Sequence, residues 1–142
     1  MSGQEDLKTI IQSLKPRLRP GSFVFCTIPG GVYGDYSTCA PVASMLEEEG
    51  LTLVLTQASA KEANLSYDGV FSCITLGVHS SLLAVGLTAA LAGALTQSGI
   101  TANVIAGYFH DHVFVPENVA DLAMTTLESL SKGAREASQR RD

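Results

Sequence analysis

CITLGVHSSLLAVGLTAALAGALTQSGITANVIAGYFHDHVFVP, Cys73 to Pro116, is the stretch whose reading decides the fold. Gly69 to Leu76 is strand-like, Ser81 to Gln97 reads as a long helix ended by Ser98-Gly99, Thr101 to Tyr108 as a second strand and His112 to Val115 as a third. From Gly69 to His110 there is no Asp, Glu, Lys or Arg, so these elements call for cover on nearly every side, from the rest of the chain or from another subunit. Val119 to Leu130 follows as an amphipathic helix, opened by Pro116 and closed at Gly133.

Working outward, this order of strand, helix, paired strands and helix is a split β-α-β arrangement, an α+β, ferredoxin-like plan. The first half follows a looser version of it. Leu7, Ile10, Ile11 and Leu14 recur at helical spacing until Pro16 and Pro20 prevent continuation. A strand spans Ser22 to Ile28. The breaks in PGGVYGDY, Pro29 to Tyr36, make a long loop of the kind that covers a pocket. Pro41 to Glu49 suits either a helix or a hairpin arm and is taken as strand. Leu51, Leu53 and Leu55 alternate with Thr52, Val54 and Thr56 as a strand, and Ser59 with Glu62 forms a capping box that opens a short helix ending near Leu65. The expected division is therefore an N-terminal half at 1–67, a C-terminal half at 68–133 and a flexible tail at 134–142, with the two tandem halves packed together.

With 142 residues and a formal net charge of −5, the chain lacks the concentrated basic surface that nucleic acid or an anionic membrane would require. Its basic cluster, Lys132, Arg135, Arg140 and Arg141, reads as a solvated end, and Glu47, Glu48 and Glu49 as a solvated edge that blunts sheet-to-sheet pairing. The apolar run Leu82 to Leu95 falls short of the roughly 20 residues a membrane span needs. The polar start MSGQEDLK has no apolar core for a secretory signal. Cys26, Cys39 and Cys73 are odd in number and in no metal-ligand spacing, which suits reduced thiols inside a cytoplasmic protein.

Two motifs carry chemistry. After Leu76, Gly77 permits a sharp bend, and Ser80 or Ser81 caps the helix, leaving backbone N–H groups and the positive end of the helix dipole aimed at one place that suits a carboxylate. The plainer alternative is that both serines are caps and His79 a loop residue. In GYFHDHVFVP, His110 and His112 are two apart, so a strand would put both rings on one face, with Asp111 placed to orient one of them or complete an anion or metal site. The plainer alternative is a hairpin turn with the rings partly exposed. Neither motif requires a cofactor or resident metal. A serine hydrolase is disfavoured by the absence of a G-x-S-x-G elbow.

Cys73 to Pro116 resembles an ACT domain, the small module that binds amino acids and regulates metabolic enzymes. The whole chain, from about Leu7 to Leu130, is similar to small stand-alone bacterial proteins of two tandem ACT-like halves, through its EGLTLVL, ITL-V-HSSL-AVGLTAA and AGY-HDH-FVP segments. The chain departs from the commonest pattern where Val78-His79-Ser80-Ser81 replaces an Asp-x-Pro-Gly type loop. The resemblance implies a ligand site where the strand-to-helix loop meets a partner unit, lined by Gly77, His79, Ser80, Ser81 and Leu82. Asn103 and the turn of His110, Asp111 and His112 are its neighbours. It implies an amino-acid-binding regulatory or sensor module without catalysis of its own, and the uncharged helix adds a homodimer or higher homo-oligomer. The alternatives are a small enzyme using His79, His110 and His112 around a metal or as acid and base, and an interaction scaffold.

Overall fold

The computed structural model describes residues 3–140. In chain order its elements are helix α1 (Leu7–Gln12), strands β1 (Pro16–Leu18), β2 (Phe23–Ile28), β3 (Ala43–Glu47) and β4 (Gly50–Thr56), helix α2 (Gln57–Glu62), strand β5 (Phe71–Leu76), helix α3 (Leu87–Gln97), strands β6 (Asn103–Ala106) and β7 (Asp111–Pro116), and helix α4 (Ala120–Gln139). Short 3-10 turns lie at Ser37–Cys39 and Glu117–Val119. The chain up to Arg19 and from Cys73 onward makes one compact unit, and Pro20–Ser72, inserted between those segments, makes the other.

In the outer unit the sheet order is β1-β5-β7-β6. β1 pairs antiparallel with β5, Pro16 opposite Leu76 and Leu18 opposite Ile74, and β6 pairs with β7 as a hairpin. β5, α3, β6, β7 and α4 follow the ferredoxin-like β-α-β-β-α-β plan, and β1, supplied from the start of the chain, takes the position of its last strand. This strand was not anticipated from the sequence, where the two prolines mark only the end of a helix. Leu87, Leu91 and Leu95 form one stripe of α3 and pack with Ile74, Leu76, Val113, Val115 and Leu127. Each such leucine contributes about 1.5–3 kcal/mol by leaving water. Thr88, Ala89 and Gly93 of the same helix stay exposed, so the chain itself covers only one side of it.

In the inserted unit β4 lies between β2 and β3. β2 and β4 pair antiparallel from Phe23–Thr56 to Ile28–Leu51, and β3 pairs on the outer edge of β4. That register puts Val24, Cys26, Leu51, Leu53 and Leu55 on one face, which packs on Ala60 of α2. Between β2 and β3, where the plan has its first helix, runs only the looped segment 29–42. The expected loop at Pro29–Tyr36 and strand within Pro41–Glu49 are both present.

Three element boundaries differ from expectation. The long helix starts at Leu87 rather than Ser81, because Gly86 in a left-handed conformation (φ 98°) turns the chain into it. α2 is capped by Thr56, whose Oγ1 accepts from Ser59 N–H at 3.2 Å, so Ser59 sits inside the helix instead of opening it. α4 runs through Gly133 to Gln139, where open space surrounds the glycine and no proline follows, so residues 134–139 are helical rather than a flexible tail. Met1, Ser2, Arg141 and Asp142, which belong to the expected polar start and basic end, lie outside the described residues. Among the described residues no helix is long and apolar enough to cross a membrane.

Candidate functional site

β5 ends at Leu76 and hands the chain to Gly77, which approaches the backbone of Lys15: Gly77 N–H donates to Lys15 O at 2.9 Å, and a Cβ here would stand 3.1 Å from that oxygen. Close approach, more than a sharp bend, is what favours glycine here. The N-terminal segment then straps the loop down. Gln4 N–H donates to His79 O and Ser81 N–H to Gln4 O, each at 2.8 Å, as an isolated bridge of Gln4 with Ser80.

Ser80 is buried, and its Oγ donates to Asp111 Oδ2 at 3.0 Å. This bond joins the two motifs that the sequence separates by thirty residues. Ser81 accepts from Leu83 N–H, so neither serine caps α3, and no side chain caps that helix at all. The expected serine-capped start is therefore corrected. Ser80, Ser81, Leu82 and Asp111 instead border a cavity of about 100 Å³. Ala84 of the loop, Leu87 and Thr88 of the first turn of α3, and Ala106 and Gly107 at the end of β6 complete its wall. Those five residues were missed from the sequence, because nothing apolar or small in a charge-free run distinguishes a cavity wall from core.

The histidines do not share this cavity wall. His110 Nδ1 hydrogen-bonds Val78 O at 3.2 Å, and His112 Nδ1 shares a hydrogen bond with Thr75 Oγ1 at 2.9 Å. Asp111 is bound to Ser80 rather than orienting either ring. Burial pushes the His112 pKa down, aided by Arg19 and His110 and opposed by the Asp111 carboxylate. His79 lies against Phe109, with ring centroids 5.0 Å apart, and 6.5 Å from the His110 ring. Among the described residues no three His, Cys, Asp or Glu side chains are grouped to hold a metal ion. Gly77 lies at the root of the loop, and Asn103 is exposed at the far end of β6 from the hairpin turn. Neither borders the cavity.

Comparison with known proteins matches the ACT domain twice, over residues 2–72 and over residues 70–129. A Vibrio cholerae protein of unknown function, described as a possible transport protein, is 48% identical with a TM-score of 0.80, over 88% of this chain and 95% of that one. The ligand-free regulatory subunit of aspartate kinase from Thermus thermophilus is similar in fold, with a TM-score of 0.56 at 10% identity, over 81% of this chain and 95% of the subunit. Aspartokinase III of E. coli, in complex with aspartate and ADP, aligns at a TM-score of 0.58 and 14% identity, over 81% of this chain and 32% of that one. No curated protein matches the chain.

Proposed function

The chain belongs to the ACT domain family, and from that premise we propose that it is a small-molecule-binding regulatory module whose ligand is an amino acid, with no catalysis of its own. The observation that carries this reading is the hydrogen bond from buried Ser80 to half-buried Asp111 at a cavity that also meets the first turn of α3. The two features are complementary in charge. The uncapped helix start offers backbone N–H groups to a carboxylate, and Asp111, held in place by Ser80, offers its other oxygen to an ammonium. A zwitterion satisfies both.

At about 100 Å³ the cavity is smaller than the roughly 300–1,000 Å³ of most ligand sites. A second copy of the chain would complete it. Leu82, Leu83 and Val85, in the loop that borders the cavity, are 62%, 78% and 84% exposed, which suits burial in a homodimer. Ligand binding then shifts the assembly by its differential affinity for two arrangements. The three unpaired cysteines suit a cytoplasmic setting for such a sensor.

The test is a melting series of the full chain against the twenty amino acids, because a ligand of the native state raises the melting temperature by mass action. The expected outcome is a rise with one amino acid or a small set, lost in Asp111→Asn and weakened in Ser80→Ala. No rise with any of them removes the amino-acid reading and leaves an interaction scaffold.

A further inference from the structure

A second cavity, of about 470 Å³, lies wholly within the inserted unit, between β3–β4 and the loop that stands where the fold plan has a helix. Its volume is in the range of small-molecule sites. Leu51 and Leu53, each 1% exposed, form its buried floor, and the exposed Val42 and Tyr33, with Ala43, form part of the wall. A helix in this position would lay side chains on that floor. The loop that replaces it covers the sheet with a single 3-10 turn, and Tyr36 (φ 60°) and Ala40 (φ 49°) on either side of that turn are held in the left-handed conformation that L side chains rarely adopt.

The polar groups of the cavity are of one sign. Asp35 is the charged residue of the lining, accompanied by the hydroxyls of Ser37 and Ser44, and no Lys, Arg or His borders the space. One Asp35 oxygen accepts from Val32 N–H at 2.9 Å, which fixes the carboxylate in the loop and leaves the other oxygen available. The surrounding unit, Pro20–Ser72, carries six carboxylates against one cation, Lys61, so its field favours a positive ligand and opposes a negative one. Tyr33 adds an aromatic face for a cation.

We infer that the inserted unit holds a second ligand site, selective for a small primary amine with an apolar body and no carboxylate. Its ammonium is received by Asp35, and its body lies against Val42 and Tyr33, above the buried floor of Leu51 and Leu53. The site is independent of the one at Ser80 and Asp111. The two differ in what they ask of a ligand, since only the latter has a helix start for a carboxylate.

The experiment is calorimetric titration of the full-length protein with phenethylamine, and with phenylalanine and 2-phenylethanol as the matched zwitterion and alcohol. The expected result is saturable binding of phenethylamine, with both comparators weaker by about tenfold or more, the scale of one charge-assisted hydrogen bond. Asp35→Asn, which keeps an acceptor for Val32 N–H and so preserves the loop, abolishes the preference for amine over alcohol. Ser44→Phe, opposite Leu53 on the cavity face of the sheet, fills the cavity and abolishes binding, while Asp111→Asn leaves it unchanged. The proposal is overturned by the absence of saturable phenethylamine binding, by equal binding of the three compounds, or by undiminished amine binding in folded Asp35→Asn. Loss of binding in Asp111→Asn with retention in Asp35→Asn would also overturn it, by moving the amine to the other site.

Discussion

At the scale of single residues, the chemistry of this protein depends on what each polar side chain finds to bond. His112 is the clearest case, because Thr75 of β5 and Arg19, which follows β1, reach it from distant segments, while His110 and Asp111 are its neighbours in the same motif. Its folded-state pKa lies below the ordinary histidine value of about 6.5, chiefly through burial. As pH falls below that value the unfolded chain takes up the proton first, so stability contributed by neutral His112 is full above it and declines as pH falls toward the lower folded value. Melting temperatures measured from pH 8 to pH 5 are expected to fall less steeply in His112→Gln than in the parent chain. Gly3 gives a second test at this scale. A Cβ there would stand 2.6 Å from the backbone carbon of Ser80 and 2.8 Å from His79 O, both in the loop that borders the cavity. Gly3→Ala is expected to force the strap away and cost about 1–3 kcal/mol, the scale of an overpacked contact, read as a lowered unfolding midpoint in urea.

At the scale of elements, helix ends decide where the sequence reading succeeds. α1 was legible from Leu7, Ile10, Ile11 and Leu14, and its N-cap Asp6 accepts from Thr9 N–H at 3.1 Å. Its C-terminal carbonyl, Gln12 O, is satisfied from far along the chain, by Ser131 Oγ at 3.0 Å and Arg135 Nη1 at 2.8 Å, both on α4. Arg135, expected to be part of a solvated end, thus makes a tertiary contact within the stretch of α4 past Gly133. A chain ending at Gly133 is expected to melt below the full chain, and Arg135→Ala to reproduce most of the loss, about 1 kcal/mol for its solvent-screened hydrogen bonds to Gln12 O and Ser131 Oγ. A tail without contacts would leave the melting temperature unchanged in both. The α3 boundary shows the opposite failure. Leu82 to Val85 are as apolar as the helix that follows, so only the conformation of Gly86 separates exposed loop from buried stripe.

At the scale of the whole molecule, the exposed apolar side chains of that loop lead to a prediction about assembly. Sedimentation of the full chain is expected to show a dimer or larger species, and Leu83→Asp with Val85→Asp is expected to shift it to monomer without lowering helix content, since both side chains are more than three-quarters exposed. A parent chain that sediments as a monomer at all concentrations would remove the subunit-completed site. The inserted unit adds the second consequence at this scale. Where it carries a loop in place of a helix, its cavity of about 470 Å³ is larger than the one of about 100 Å³ at Ser80 and Asp111.

The sequence by itself determined the alternation of strands and helices, the α+β class and the position of the strand-to-helix loop, because apolar periodicity and glycine–proline punctuation are local signals. Only the tertiary structure decided which polar groups meet. Ser80 with Asp111, His112 with Thr75 and Gln12 with Arg135 are each brought together by sheet pairing or helix packing between segments distant in sequence. The same holds for β1, whose three residues carry no strand signal and are extended because β5 has an open edge beside them. A local pattern records what a residue does to its own backbone, and a binding site depends on neighbours that no local pattern contains.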